Sequence, residues 1–340
     1  MGLSSNVGID LGTSSVLVYV KGKGIILREP SVVAVRSGEA EGDGKQIEAI
    51  GESAFAMVGR TPQNMEVIFP VRSGVISNYE YTEKMLQYFL QKTIGHPLIK
   101  PLVAVCVPSS ITEVERRAIV DACMEVGARS VHLIEEPLAA AMGAGIDVSR
   151  PNGCMVVDIG GGTTDVAVIS LGEVVTSRSV KVAGDTFDDD ICRMMRRRYN
   201  MLIGKRTAEN IKIQIGNCEK TDRPSGTESK MEVKGRHAVT GLPVMAEVSS
   251  DDVREAVGES VQRLCDAVCE VLENTPPELT ADIAEHGILM TGGGSLLKGI
   301  DHIVARRARI GTFVADDALS CVAIGTGRYV DKLSSRWLGV

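Results

Sequence analysis

Two glycine-rich turns in the sequence each follow an aspartate at the end of an apolar segment, the first at Asp10 and the second at Asp158. Glycine leaves backbone N–H groups unobstructed, and several of them pointing at one place form a site for an anion such as phosphate. An aspartate beside a polyphosphate can hold Mg²⁺ through water, because this ion gives up its hydration shell reluctantly. The two turns therefore predict a nucleotide site in a cleft, with Asp10 and Asp158 holding the metal. The residues predicted to contact phosphate are Gly12, Thr13, Ser14, Gly160, Gly161 and Gly162.

A third glycine-rich turn, at residues 292–294, follows a short apolar segment and precedes a predicted helix. A single turn of this kind is as often only a tight connection between two strands. Three of them in a duplicated order favour a binding role. The motifs G-x-x-x-x-G-K-[ST] and G-x-G-x-x-G do not occur in the chain, which weakens the P-loop and Rossmann alternatives.

The sequence also contains an internal repeat. Residues 7–20 and 155–169 both have the pattern of an apolar strand, a glycine-rich turn and a second strand. Asp10 and Asp158 occupy the same place in the two copies, which lie a domain's length apart. The repeat predicts two related domains that face each other.

Strands alternate with helices between the two copies. Leu102–Val107 is a continuous apolar run, which is typical of a buried strand. Thr112 followed by Glu115 has the spacing of a capping box and predicts the start of a helix, and Gly127 predicts its end. The alternation predicts an α/β fold. The expected apolar face of the helix consists of Val114, Ala118, Ala122 and Val126.

The composition is typical of a globular protein, with 340 residues of which 44% are hydrophobic and 24% are charged. A net charge of −7 argues against binding to nucleic acid and against bulk attraction to anionic lipid. The chain has no run of 18 apolar residues, and its first residues lack the pattern of a signal peptide. We therefore expect a cytoplasmic protein with only local membrane contact. Eight cysteines without a C-x-x-C pair predict no metal–thiolate site.

The order of these motifs resembles that of the superfamily of actin, heat-shock chaperones and sugar kinases. The two phosphate loops, the adenosine loop and the second connecting segment match residues 8–13, 157–165, 291–295 and 323–327. Other segments are similar to the MreB/Mbl family of bacterial actin-like proteins, without distinguishing its two paralogues, and the resemblance covers essentially the whole chain. These segments are residues 29–32, 108, 114–117, 134–141, 204–209 and 275–279.

The resemblance implies an α/β fold of the actin-like (ribonuclease H-like) type. Such a fold is a duplicated two-domain ATPase with a small subdomain inserted in each half. The expected subdomains are IA (residues 1–32, 70–145 and 325–340), IB (33–69), IIA (146–183 and 246–324) and IIB (184–245).

The resemblance also implies roles for individual side chains. Glu136 matches the position that orients the attacking water and can accept its proton, although a helix cap before Pro137 is a structural alternative. Thr163 matches a residue near the γ-phosphate. Glu209 and Lys212 match a clamp on the nucleoside, and their spacing also suits a solvated ion pair on one helix. The matching adenosine loop is Gly292, Gly293 and Gly294, and the implied cofactors are ATP, with GTP as the alternative, and Mg²⁺.

The function implied by the resemblance is that of a cytoskeletal ATPase. It would polymerise with itself into membrane-associated filaments and organise cell-wall synthesis to set a rod cell shape. A chaperone-type or sugar-kinase-type ATPase of the same superfamily is the alternative, which the short inserts and the short segment after the last motif make less favourable. The expected partners are further copies of the chain, the inner face of the cell membrane and membrane proteins of the cell-elongation machinery.

The membrane contact is predicted at Leu98 and Ile99, in a loop bounded by proline and glycine just before the strand at Leu102. Adjacent aliphatic side chains in an exposed loop favour contact with a partner, here the membrane surface. The corresponding loop of several relatives carries a similar apolar pair. Packing of both side chains against their own domain is equally compatible with the sequence. The expected location is therefore the cytoplasm, peripheral at the inner face of the membrane.

Overall fold

The computed structural model describes residues 6–37, 45–95, 99–220 and 229–337. The chain divides into two compact units, one of Met1–Arg150 with Leu319–Val340 and the other of Pro151–Ala318. Both divisions fall a few residues from the expected limits between the two halves, and the four subdomain boundaries stay predictions. Within the described ranges, no helix is both long and apolar enough to cross a membrane.

The first unit is built on strands and helices that alternate after an initial run of strands. In chain order they are β1 (Val7–Leu11), β2 (Ser15–Val20), β3 (Gly24–Pro30), β4 (Val33–Arg36), β5 (Gln46–Ile50), α1 (Glu52–Phe55), β6 (Met65–Ile68), β7 (Val71–Arg72), β8 (Val75–Ile76), α2 (Tyr79–Ile94), β9 (Leu102–Val107), α3 (Glu113–Glu125), β10 (Ser130–Glu135) and α4 (Glu136–Gly143).

The main sheet of this unit has the strand order β10-β9-β1-β2-β3. β1, β2 and β3 form an antiparallel meander, whereas β1, β9 and β10 run parallel to one another. On one face of β9, Val103 and Val105 pack in a cluster with Phe89 of α2. On the other face, Leu102 and Ala104 pack with Val330. Both faces of β9 are covered, which explains why its sequence is apolar throughout rather than alternating.

The second unit has an equivalent series of elements. In chain order they are β11 (Cys154–Ile159), β12 (Thr164–Ser170), β13 (Glu173–Val180), α5 (Gly184–Tyr199), β14 (Met201–Leu202), α6 (Lys205–Ile215), β15 (Lys230–His237), β16 (Pro243–Ser249), α7 (Ser250–Glu273), α8 (Pro277–His286), β17 (Ile288–Thr291), a 3₁₀ turn (Gly293–Leu296), α9 (Ile300–Ala308) and β18 (Thr312–Val314); α10 (Cys321–Trp337) then belongs to the first unit.

The main sheet of the second unit repeats the topology of the first. Its order is β13-β12-β11-β17-β18, with an antiparallel meander β11-β12-β13 and parallel neighbours β11, β17 and β18. β11 therefore corresponds to β1, and β17 and β18 correspond to β9 and β10. The duplication predicted from the sequence is confirmed, as is the α/β fold class.

The start of α3 is confirmed, but its predicted buried face is partly wrong. Thr112 and Glu115 form the capping box. Val114, however, is 80% exposed, and the side chains that α3 buries are Ile119, Ala122 and Cys123. A helix turns by about 100° per residue, so positions spaced strictly four apart drift by about 40° at each step and leave the core face within three steps.

Small residues allow α4 and α10 to pack with their backbones in contact. A methyl group at Gly143 would overlap the carbonyl of Cys321, and a methyl group at Gly325 would overlap the carbonyl of Ala139. The close approach fixes α4, and with it the residue at its first position, against the rest of the first unit.

Candidate functional site

In the first unit, the carboxyl ends of three parallel strands bring the predicted residues to one edge of the sheet. Asp10 on β1 lies opposite Cys106 on β9, and Glu135 is the last residue of β10. Glu136 follows as the first residue of α4 and is half-buried. This edge is where open α/β sheets bind their ligands. The N-cap of α4 is Glu135, which makes no side-chain capping bond, so Glu136 is not the cap that the sequence left open.

Asp10 is a carboxylate with few protein donors. The Cys106 thiol donates to its Oδ1 at 3.3 Å, and within the described part of the chain its Oδ2 accepts no hydrogen bond. Burial raises the pKa of Asp10 to about 6, an effect that the Cys106 hydrogen bond and the charge of Arg28 oppose. A half-buried carboxylate oxygen without a donor suits a hard cation, so the residue fits the predicted Mg²⁺ role.

The turn between β1 and β2 is anchored through hydrogen bonds accepted by its carbonyl and hydroxyl oxygens. Its backbone N–H groups are therefore available to bind a ligand. The Ser31 hydroxyl donates to the Gly12 carbonyl at 2.6 Å, and the Ser31 amide donates to the Ser14 carbonyl at 3.1 Å. The Thr13 hydroxyl accepts from the Gly74 amide at 3.0 Å. Among the described residues, no acceptor lies against the N–H groups of Gly12, Thr13 and Ser14. The turn can therefore present three adjacent donors to an anion.

The turn between β11 and β12 has the same property in the second unit. Its carbonyls at Gly160 and Gly161 accept from the first two amides of α5, those of Gly184 at 3.1 Å and Asp185 at 2.8 Å. The N–H groups of Gly161, Gly162 and Thr163 have no acceptor in the described ranges. Thr163 is only 8% exposed. A buried N–H group without an acceptor destabilises the folded state, so a ligand that accepts from these amides would be bound favourably.

Asp158 lies between this turn and the third glycine-rich turn. The Thr291 hydroxyl, at the end of β17, donates to Asp158 Oδ1 at 2.6 Å, and Asp158 is 4% exposed. Gly292 has a φ of +79°, and a side chain there would meet the Ile159 carbonyl and, at 2.9 Å, Asp158 Oδ1. A side chain at Gly294 would meet Ile159. Glycine is therefore required where the third turn packs against the end of β11.

Lys212 and Glu209 on α6 do not form the ion pair that their spacing allows. The Lys212 ammonium lies 2.9 Å from Asp188 Oδ1 and donates to the Gly184 carbonyl at 3.1 Å. Glu209 is half-buried, and its side chain makes no hydrogen bond or ion pair with any described residue. Burial raises the pKa of Asp188 to about 6, and Glu209 and Asp185 add to this rise while Lys212 opposes it.

The structure thus gathers the predicted residues into two sets, one in each unit. Of the predicted membrane pair, Ile99 is 39% exposed, and Leu98 lies outside the described residues. The set of the first unit is Asp10, Gly12, Thr13, Ser14 and Glu136. The set of the second unit is Asp158, Gly160, Gly161, Gly162, Thr163, Glu209, Lys212, Gly292, Gly293 and Gly294.

Sequence reasoning missed three residues that contact these sets. Cys106 and Thr291 could have been found, since each lies near the carboxyl end of a parallel strand and is paired with the aspartate on the neighbouring strand. Asp188 had no such signal, because its contact with Lys212 joins two helices whose packing the sequence does not reveal.

The chain is similar to known proteins over nearly its whole length. A family model described as MreB/Mbl protein matches residues 4–336. The chain is 46% identical over 337 residues to the cell shape-determining protein Mbl of Bacillus cereus, covering 98% of both chains. It is 47% identical over 332 residues to the cell shape-determining protein MreB of Escherichia coli, covering 97% of this chain and 94% of that protein. The crystal structure of MreB 5 of Spiroplasma citri bound to AMPPNP is similar with a TM-score of 0.92, at 37% identity, over 100% of this chain and 99% of that one.

Proposed function

Because the chain belongs to the MreB/Mbl family, we propose that it is an actin-like cytoskeletal ATPase that binds a nucleoside triphosphate and polymerises with itself. One observation carries the proposal. In each unit, a glycine-rich turn follows an aspartate near the end of the equivalent strand, β1 or β11. Each turn has three backbone N–H groups that find no acceptor among the described residues. The duplicated arrangement supports binding of a polyphosphate.

The aspartates are proposed to hold Mg²⁺. Asp10 and Asp158 would bind the ion through water, and the ion would neutralise negative charge on the phosphates. Thr291 fixes Asp158 by its hydrogen bond of 2.6 Å. ATP is the proposed nucleotide, in line with the AMPPNP bound to the Spiroplasma citri protein, and GTP is the alternative.

Hydrolysis is proposed to depend on Glu136. This carboxylate would orient the attacking water and accept its proton. Thr163 would lie near the γ-phosphate, where its backbone N–H group can donate. The nucleoside would be held by Glu209 and Lys212 on α6 and by Gly292, Gly293 and Gly294 in the third turn.

Assembly into filaments is proposed to serve cell shape, as the names of the Mbl and MreB relatives suggest. A head-to-tail contact between identical subunits that does not close generates a filament. The filament would lie in the cytoplasm, peripheral at the inner face of the cell membrane, and would bind membrane proteins of the cell-elongation machinery. The chaperone-type and sugar-kinase-type alternatives are not favoured, since cell shape-determining relatives match nearly the whole chain.

Electron microscopy of the purified chain tests the proposal. We expect ordered filaments with Mg-ATP and few or none without nucleotide, and phosphate release should accompany assembly. Mg-GTP in parallel decides between the two nucleotides. A chain that binds neither nucleotide in an equilibrium assay, and stays monomeric at all protein concentrations, would contradict both the binding and the assembly parts of the proposal.

A further inference from the structure

Two buried carboxylates on α5 differ in what they face. Asp188 is 6% exposed and Asp190 is 7% exposed. Asp190 accepts from the Ser260 hydroxyl of α7 at 2.5 Å and pairs with Arg193 on its own helix. Asp188 faces α6, where the Lys212 ammonium lies 2.9 Å away. Asp190 therefore joins α5 to α7, whereas Asp188 pairs with the ammonium group of Lys212 on α6.

The Lys212 ammonium is held beside the second glycine-rich turn. A lysine ammonium has three N–H groups. The ammonium forms an ion pair with Asp188 Oδ1 at 2.9 Å and donates one hydrogen bond to the Gly184 carbonyl at 3.1 Å. Gly184 is the first residue of α5, and its own amide donates to Gly160 in the turn. Among the described residues, Lys212 has no other hydrogen-bond acceptor, and its side chain is only 15% exposed.

We propose that Asp188 is a positioning residue, whose charge holds the Lys212 ammonium so that an N–H group not used by Gly184 is presented to the nucleoside part of the bound nucleotide. The inference rests on the proposed nucleotide binding and adds to it the residue that orients the clamp. An unpaired lysine has four rotatable side-chain bonds and would lose more conformational entropy on binding a ligand. A second anchor at Gly184 alone would leave the positive charge without a counter-charge in a largely buried place.

Binding measurements on the full chain separate positioning from a general structural role. Asp188→Asn keeps the shape of the side chain and removes its charge, and Asp190→Asn is the matched control on the same helix. Each variant is titrated with ATP and with inorganic tripolyphosphate, both with Mg²⁺. We expect Asp188→Asn to raise the Kd for ATP about tenfold, the effect of weakening one charged hydrogen bond. Its Kd for tripolyphosphate should stay within about twofold of that of the parent chain.

The control and a double-mutant cycle decide the outcome. Asp190→Asn should leave both Kd values unchanged, even if it lowers the unfolding temperature. In a Lys212→Met background, Asp188→Asn should cause no further loss of ATP affinity, because the residue acts through Lys212. Equal weakening of ATP and tripolyphosphate binding, or additive losses in the cycle, would overturn the inference. A parent chain that fails to bind ATP would instead overturn the proposed function itself.

Discussion

At the scale of single residues, Glu135 and Glu136 are adjacent carboxylates with different positions. Glu135 ends β10 and is the N-cap of α4, whereas Glu136 is the first residue of the helix. Their side chains point in different directions, because successive residues at a strand end face opposite sides of the sheet. The pair therefore offers a test in which charge and burial are nearly the same and only the direction differs.

Glu136→Ala should slow ATP hydrolysis about 100-fold or more, the usual contribution of a general base, and should leave the Kd for ATP within about threefold. Glu135→Ala is the control and should keep more than about a third of the parent rate. Phosphate release and nucleotide titration measure the two quantities. Parent-like hydrolysis by Glu136→Ala, or an equal loss in both variants, would show that Glu136 does not orient the water.

The sequence predicted those site residues whose chemistry depends on local backbone. Gly160 to Gly162 could be predicted as candidates because their glycine run follows an apolar strand and repeats the pattern found after Asp10. The requirement for glycine at position 292 became clear only from the structure, in which Gly292 has a φ of +79° and a side chain there would meet the Ile159 carbonyl. Cys106 beside Asp10 and Asp188 beside Lys212 are contacts between elements far apart in the sequence, and no local pattern reveals which side chains meet there.

At the scale of elements, the packing of α4 against α10 depends on glycine. A methyl group at Gly325 would overlap the Ala139 carbonyl and come within 2.9 Å of the Gly143 amide nitrogen. Gly325→Ala should destabilise the chain by about 3 kcal/mol, since both neighbours are backbone atoms that cannot move aside. The gain in helix propensity of about 1 kcal/mol does not offset this overlap.

Gly258 in α7 is the matched control, because it is exposed and a methyl group there meets nothing within 4 Å. Gly258→Ala should stabilise the chain by about 0.5–1 kcal/mol through helix propensity alone. Thermal unfolding of both variants measures the two changes. If the unfolding temperature rose in both variants alike, α4 and α10 would not be in backbone contact.

A second element-scale feature joins the segment after α6 to α9. The Glu219 carboxylate accepts from Arg306 at 2.7 Å and contacts His302 Nδ1 at 2.8 Å. The hydrogen bond with Glu219 raises the pKa of His302 above its ordinary value of 6.5, the charge of Asp301 adds to the rise, and Arg306 opposes it. The stability contributed by the protonated imidazole is therefore fully present below about pH 6.5 and is lost as the pH rises through the raised pKa.

His302→Gln should accordingly lower the unfolding temperature more at pH 6 than at pH 8.5, by a small amount because the pair is exposed. Calorimetry of the parent and the variant at both pH values measures the difference. The same substitution in a Glu219→Gln background should show no such dependence on pH. A constant difference at both pH values would mean that the charge on His302 contributes nothing.

At the scale of the whole molecule, the duplication was the most predictable feature. The repeated motif around Asp10 and Asp158 predicted two related units, and the strand orders of the two sheets agree one for one. The face of α3 was not predictable from its four-residue spacing, since Val114 fits the pattern and is exposed. The two units divide at Arg150 and Leu319, and the predicted subdomain limits stay predictions, because a boundary is set by contacts rather than by a sequence signal.

The proposed membrane association would also depend on the whole assembly. Ile99 is 39% exposed in the first unit, and Leu98 precedes it in sequence. Burying two aliphatic side chains contributes on the order of 3–6 kcal/mol at most, before the cost of association. One subunit would therefore bind weakly, whereas a filament that presents many such pairs in a row would bind strongly through avidity. Binding to lipid should thus depend on assembly.

Replacing Leu98 and Ile99 together with serine should release filaments from liposomes without changing ATP hydrolysis. A control variant with serine at Leu171 and Val175, which are 66% and 44% exposed in the second unit, should still co-sediment with lipid. Because the predicted insertion is apolar rather than electrostatic, about 0.5 M salt should not release the parent filaments. Undiminished co-sedimentation of the Leu98/Ile99 variant would refute the loop assignment. Loss of its ATPase activity would instead indicate that the two side chains pack against their own unit.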